Sequence, residues 1–317
     1  MEKTFPSSSI KKPPLRDSLL HLCTRRRSKG LTKVFIEAGC AVDKVNAEGQ
    51  TPLHLAALNG DLEALKLFYM ARADPSIADV LDRTPIYLAA ERGHSLCVDF
   101  LADKFKASVF SRAKDGSTLL HVAAQHGHSE TAMILHKRGV PLLMPNSNGA
   151  RGIHVAAVKG HVGVINAIIA RGEDVNVLTN NDYTPLHLAI DAGQHEAVEC
   201  LLGHGASVNI LGGELKESPL HMACRMGEAR GEKCVGMLLK SGSNPNLPMR
   251  DGRRSLHIAA YSGNARNVRL LLENGGDVAL ADGNGETALH LAVKGCHLKT
   301  LKVRKKSFLK PLKKSRL

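Results

Sequence analysis

A block of about 33 residues recurs through most of the chain, and no other feature limits the fold so tightly. TPLHLAALNG, TPIYLAAERG, STLLHVAAQHG, RGIHVAAVKG, TPLHLAIDAG, SPLHMACRMG, RSLHIAAYSG and TALHLAVKG follow one another in order. Anchored on its histidine, the block returns at His21, His54, Tyr87, His121, His154, His187, His221, His257 and His290, in steps of 33, 33, 34, 33, 33, 34, 36 and 33 residues. A period of this length marks an architecture of stacked units, each of which buries its apolar face only against its neighbours. By length alone, 317 residues could make two ordinary domains. The periodicity turns them into one array of about nine units.

Each position of the block has a physical task. Thr51-Pro52 and Thr184-Pro185 read as an N-cap hydroxyl followed by proline in the first helical turn, where its missing N–H costs nothing. Small residues follow the anchor, as in Ala56-Ala57, Ala89-Ala90, Ala123-Ala124, Ala156-Ala157 and Ala259-Ala260, and allow close helix approach. Six residues after the anchor stand Gly60, Gly93, Gly127, Gly160, Gly193, Gly227 and Gly263, where a left-handed residue is expected to end the first helix. A second helix then carries an apolar pair such as Phe68-Tyr69, Ile168-Ile169, Leu201-Leu202 or Leu271-Leu272. Stretches rich in Asn, Asp and Gly, such as RGEDVNVLTNND, read as extended turns.

The period, the TPLH motif and the Gly-Ala-Asp-x-Asn turn together resemble ankyrin repeats over residues 17–300. The resemblance implies an all-α repeat solenoid of stacked helix-turn-helix units with short β-hairpin fingers, and a concave face formed by fingers and first helices. It also implies that protein partners are met by fingertips and by the exposed ends of first helices. Carried over by position, those residues are Arg83, Glu91, Arg92, Lys114, Gln125, His126, Lys159, Tyr183, Asp191, Arg225, Arg253 and Tyr261, with Tyr and Arg the natural anchors. Within the family, the runs DRTPIYLAAERGHSLCVDFLADKF, KDGSTLLHVAAQHGH and GGELKESPLHMACRMGE resemble the array of TRPN (no-mechanoreceptor-potential) mechanosensory channels. That resemblance implies a cytoplasmic, force-transmitting array, here without its pore. The alternative is a free soluble adaptor.

Several units depart from the pattern. Arg151-Gly152 and Arg254-Ser255 replace Thr-Pro, so those helices are expected to lose a cap worth about 1 kcal/mol each. Phe105-Lys106 replaces Gly-Ala, and GEARGEK inserts three residues between the helices of the His221 unit. After ETALHLAVKG the last unit fails, with Arg304 and Lys305 where an apolar pair is needed, which suggests an array cut short.

The net charge of +13 belongs to the ends. Residues 1–33 hold 9 Lys/Arg against 2 Asp/Glu, residues 299–317 hold 9 and none, and the stretch between holds 25 against 28. Residues 1–16 read as a disordered basic segment and 301–317 as a basic tail, also disordered. In the tail Leu301, Phe308, Leu309 and Leu312 sit among Lys and Arg, a pattern open to weak contact with an anionic membrane surface. A nucleic-acid partner would need a basic face on a folded unit, and no specific one is expected. No apolar run reaches about 18 residues, so no transmembrane segment is expected, and the start lacks a secretory h-region. Seven Cys without a CxxC spacing suit a reducing compartment. A cytoplasmic location follows, membrane-associated if the chain serves a channel.

Sixteen His invite a metal or catalytic reading. Eight are anchors, and His94, His128, His161 and His297 follow the inter-helix turn, so the repeat accounts for twelve. His126-x-His128 is too few ligands for structural zinc, His195-Glu196 lacks the second His of HExxH, and the Asp282 run departs from a calcium loop at Thr287. No nucleophile, base and orienting group can be assigned. The sequence thus reads as a non-catalytic protein-binding scaffold with no cofactor and no metal, its partner a protein, with the cytoskeleton one source.

Overall fold

In the computed structural model, residues 17–302 are described. Their helices, in chain order, are α1 Leu19–Arg25, α2 Lys29–Glu37, α3 Pro52–Asn59, α4 Leu62–Met70, α5 Pro85–Glu91, α6 Ser95–Asp103, α7 Leu119–Gln125, α8 Ser129–Lys137, α9 Gly152–Lys159, α10 Val162–Ile169, α11 Pro185–Asp191, α12 His195–Gly203, α13 Pro219–Arg225, α14 Glu228–Lys240, α15 Ser255–Tyr261, α16 Ala265–Glu273, α17 Ala288–Lys294 and α18 Leu298–Lys302. The anchor histidines fall on the odd-numbered first helices. Two compact units result. One is the described part of Met1–Ala113 with Glu130–Val140, and the other is Lys114–Ser129 with the described part of Pro141–Leu317. The basic segments at 1–16 and beyond 302, including Arg304 and Lys305, lie outside the described residues.

Both units are built alike. First helices pack on first helices, α3 on α1 and α5 in one unit and α9 on α7 and α11 in the other, while each even-numbered helix covers one side. The small side chains sit at the closest approaches: Ala56, Ala57, Ala89, Ala90, Ala156, Ala157, Ala259 and Ala260 are wholly buried. In the second helices only the first member of each apolar pair enters the core, as Phe68, Ile168, Leu201 and Leu271 do. A buried Leu or Ile stabilises by about 1.5–3 kcal/mol, and these rows supply most of the cohesion.

Within each compact unit, the anchor histidine ties one repeat to the next. In α3 the N-cap Thr51 presents its backbone N–H and hydroxyl to His54 Nδ1 at 3.0 and 2.8 Å. Nδ1 therefore accepts, so Nε2 carries the proton and donates 3.1 Å to the Arg83 carbonyl of the following repeat. The same ring bond runs from His21 to Gln50, His121 to Ala150, His154 to Val177, His187 to Glu217, His221 to Leu247 and His257 to Glu286. A second set points backward: His94, His161 and His297 donate from Nε2 to the carbonyls of Leu58, Gln125 and Tyr261, and Gln194 donates to Val158. These rings cap the ends of the preceding first helices. They also explain the glycine there, because Gly60 has φ +70° and a Cβ on it would lie 2.5 Å from His94 Nδ1.

Four expectations change in detail. The fingers carry no strand: among the described residues their β pairing is limited to isolated antiparallel bridges such as Gly212–Glu217 and Ala281–Thr287. Side chains close them instead, as when Asn46 Oδ1 accepts from the backbone of Glu48 and Gln50, and single bonds such as Gly283 N–H to Asp251 O join neighbouring fingers. Gly227 is not left-handed, with φ −56°, because it caps the 13-residue α14, whose first turns are formed by the following EARGEK. The left-handed residue at the exit of α6 is Lys106, φ +57°, so Lys106 takes the glycine position and Ala107 the alanine position, one residue later than the sequence register placed them. Arg151 and Arg254 retain half of the cap, since their N–H groups still donate to His154 and His257 Nδ1 at 3.1 and 3.2 Å.

Candidate functional site

The residues expected to face a partner fall at two positions of the repeat. Glu91, Gln125, Lys159, Asp191, Arg225 and Tyr261 are the last residues of α5, α7, α9, α11, α13 and α15. Arg92 and His126 follow directly, while Arg83, Lys114, Tyr183 and Arg253 stand on fingers. Arg92, Lys114, Gln125, His126, Lys159, Asp191, Arg225 and Tyr261 are exposed, and Arg83, Glu91, Tyr183 and Arg253 are half-buried.

Exposure does not make them equivalent. Arg83 grips Asp79 with Nε and Nη2 at 2.9 and 2.8 Å and reaches Glu91 at 3.7 Å. Burial tends to raise the Asp79 carboxyl, but Arg83 and the N–H groups of Arg83 and Leu81 hold it below the usual carboxylate range. Arg83 and Glu91 are thus brought together, largely for the finger's own sake. Arg253 is held by Asp251 at 2.6 Å. His126 stacks on His128, with ring centroids 6.2 Å apart and an interplanar angle of 13°.

Tyr183 and Arg225 meet in a cleft of about 370 Å³ between two fingers. The Tyr183 ring leans on His187 at 5.7 Å, and burial pushes its phenol pKa up. Arg225 Nη1 donates 2.8 Å to Glu217 Oε1, a carboxylate almost fully buried. Leu215, an exposed apolar residue on a fingertip, and Glu214 complete the wall. The cleft therefore offers an aromatic face, an apolar side and a held guanidinium, a combination suited to an extended peptide or a protruding side chain. Glu217 and Leu215 were not foreseen as contacts, although the GGELKES run that bears them departs from the repeat's wording.

Nothing in this surface resembles a reaction centre. Seven of the anchor histidines are spent on the bonds above, and among the described residues no group of three or more His, Cys, Asp or Glu could hold a metal ion. All seven cysteines are free. Burial raises the Cys97 and Cys234 thiols to about 11, far from thiolate character at neutral pH. No described helix is long and apolar enough to cross a membrane.

The family model for ankyrin repeats (3 copies) matches residues 7–79, 54–146, 153–249 and 229–303. The chain belongs to the ankyrin-repeat family. The solved ankyrin-repeat domain of human ASB11 superposes with a TM-score of 0.62 at 26% identity, over 72% of this chain and 99% of that one. Human SMC5-SMC6 complex localization factor protein 1 is 28% identical over 143 residues, 45% of this chain and 13% of that protein. Human ankyrin repeat domain-containing protein 63 is 31% identical over 106 residues, 32% of this chain and 28% of that protein. The likeness spans only a minor part of these two relatives and covers ankyrin repeats, a fold that serves as a protein-interaction module.

Proposed function

We propose that this ankyrin chain is a non-catalytic scaffold that binds a protein partner through first-helix ends and fingertips, centred on the Tyr183–Arg225 cleft. The observation that carries this reading is that cleft: an aromatic ring and a paired arginine, both typical binding anchors, brought together on a surface with no catalytic constellation. Residues 17–300 act as the interaction array, flanked by basic segments at 1–16 and 301–317, and the tail adds salt-dependent attraction to anionic surfaces. Affinity capture from a cytosolic extract, with wild type beside Tyr183→Ala and Arg225→Ala, tests it. A partner retained by wild type and lost from both variants supports the reading. Partners retained equally by all three would sink it.

The adaptor reading takes this surface as sufficient in a free cytoplasmic protein. The finer reading, a force-transmitting array of a TRPN-type channel with a cytoskeletal partner, rests on the wording of the DRTPIYLAAERGH and KDGSTLLHVAAQHGH runs; none of the relatives named above is such a channel. Transcripts separate the two. A reading frame continuing into more repeats and six apolar spans supports the channel, and one without them supports the adaptor.

A further inference from the structure

A second surface lies away from the first-helix ends and fingers, where α4 and α6 end. A cleft of about 420 Å³ opens there, lined by Tyr69, Met70, Arg72, Pro75, Lys104 and Phe105. Its floor is aromatic: Tyr69, Phe100 and Phe105 form a three-ring cluster, edge to face, with centroids 5.3 to 6.1 Å apart. In a chain with 3% aromatic residues this is a concentrated investment. Met70 stands over it 80% exposed and Tyr69 41% exposed, a flexible thioether beside rings, as at adaptable binding surfaces.

The rim is cationic. At the second-helix exit other units carry Gly39, Gly139, Gly172, Gly205, Gly242 and Gly275, all with positive φ. Here the same left-handed position is held by Arg72 and Lys106, each at φ +57°, a conformation costly for a residue with a Cβ. Neither lies within ion-pair distance of a carboxylate among the described residues, although the Lys106 charge is felt at Asp103. Most nearby acids face other cations, and Asp74 is held by a serine. Asp103 faces Lys104 at 3.1 Å and Arg138 at 3.6 Å, Asp99 holds Arg138 at 2.7 Å, Glu63 is shared by Lys29 and Lys66, and Asp74 accepts from Ser76. The surface therefore pairs a partly exposed apolar floor with a cationic rim, Arg72 and Lys104 on the cleft itself and Lys106 next to Phe105.

We infer that this cleft docks an acidic peptide segment of a partner protein, with one large apolar side chain against Tyr69, Met70 and Phe105 and flanking carboxylates on Arg72 and Lys106. Charge complementarity selects the acid, and the ring cluster selects the anchor. The site is independent of the Tyr183 cleft, so either could fail without the other.

The probe is a synthetic peptide pool with a central Phe, Trp, Leu or Met among Glu and Asp, read by fluorescence anisotropy on the full chain. Control pools replace the acids by Lys or the anchor by Gly. The decisive variant is Arg72→Gly with Lys106→Gly, which restores the glycine of the other units and leaves the thermal midpoint unchanged or higher. The acidic pool should bind wild type, weaken about tenfold or more in the variant, and weaken between about 0.1 and 0.5 M salt. Met70→Ala, at an exposed position, should also weaken it. No binding up to about 1 mM, equal binding of the control pools, or an unaffected glycine variant overturns the inference. So would binding to phosphatidylserine vesicles with none to the peptides, which would make the surface a membrane contact.

Discussion

Acidification should destabilise this protein through its anchor histidines. His154, His187 and His221 are wholly buried. Burial pulls each down to about 4, although their bonds to Val177, Glu217 and Leu247 oppose it. Protonating Nδ1 would also set a donor against the capping donors, which at His187 are the Thr184 N–H at 3.2 Å and hydroxyl at 2.8 Å. The folded pKa lies below the unfolded value of about 6.5, so the unfolded chain binds more protons and stability falls with pH from there down to about 4. Between pH ~7.5 and ~5 each ring contributes about 2 kcal/mol of loss, or about 6 kcal/mol for the three, against a total stability typically of about 5–15 kcal/mol. Glu173 acts oppositely. It stands where other units have Ala73 or Ala206, neither oxygen has a partner, and burial raises it to about 7. Its folded pKa exceeds the unfolded one, so it destabilises as pH rises through 7, and acidification returns about 2 kcal/mol. The net loss is about 4 kcal/mol in wild type and about 6 kcal/mol in Glu173→Ala. Urea unfolding followed by circular dichroism at the two pH values measures both. A difference below about 1 kcal/mol in Glu173→Ala, or a pH dependence that His187→Phe leaves unchanged, would refute the reasoning.

At pH ~7.5, Glu173→Ala should itself stabilise by about 2–3 kcal/mol, seen as a higher urea midpoint. Arg151→Thr, made in that background, should add up to about 1 kcal/mol by restoring a hydroxyl cap, because Arg151 Nε is buried without a partner. Arg254→Thr should gain nothing or lose stability, since Arg254 donates to the carbonyls of Asn246, Gly252 and Ala281. Gly60→Ala should cost about 2 kcal/mol, from the left-handed backbone and the displaced His94 bond to Leu58; a thermal midpoint equal to wild type would contradict the backward histidine set. In native protein a maleimide should modify exposed Cys296 quickly and leave buried Cys97, Cys224 and Cys234 untouched, as read by peptide mass mapping.

The repeat, its helix starts and its alanine contacts were legible because each depends on neighbours close in sequence: a cap acts over three residues, and an alanine pair marks a close approach by size alone. Thr51, Pro52 and Ala56 needed nothing distant to be read. Even the left-handed positions obey register, since Arg27, Arg72, Asp82, Lys106, Asp182, Lys216 and Cys296 all stand where other units carry glycine. Interactions between units were not legible. His54 finds its carbonyl 29 residues away and His94 reaches back 36, distances that no local preference sets. The two arginine-started helices look alike in sequence, yet Arg254 finds three carbonyls and Arg151 Nε finds none. Of the expected contact residues, only packing could show that Arg83 and Glu91 serve their own finger while Tyr183 and Arg225 share a cleft. The sequence by itself determined the unit and its period, because those are local and repeated. Tertiary structure alone decided which polar groups are consumed between units and which remain for a partner, because hydrogen bonds and ion pairs depend on the meeting of residues from different repeats.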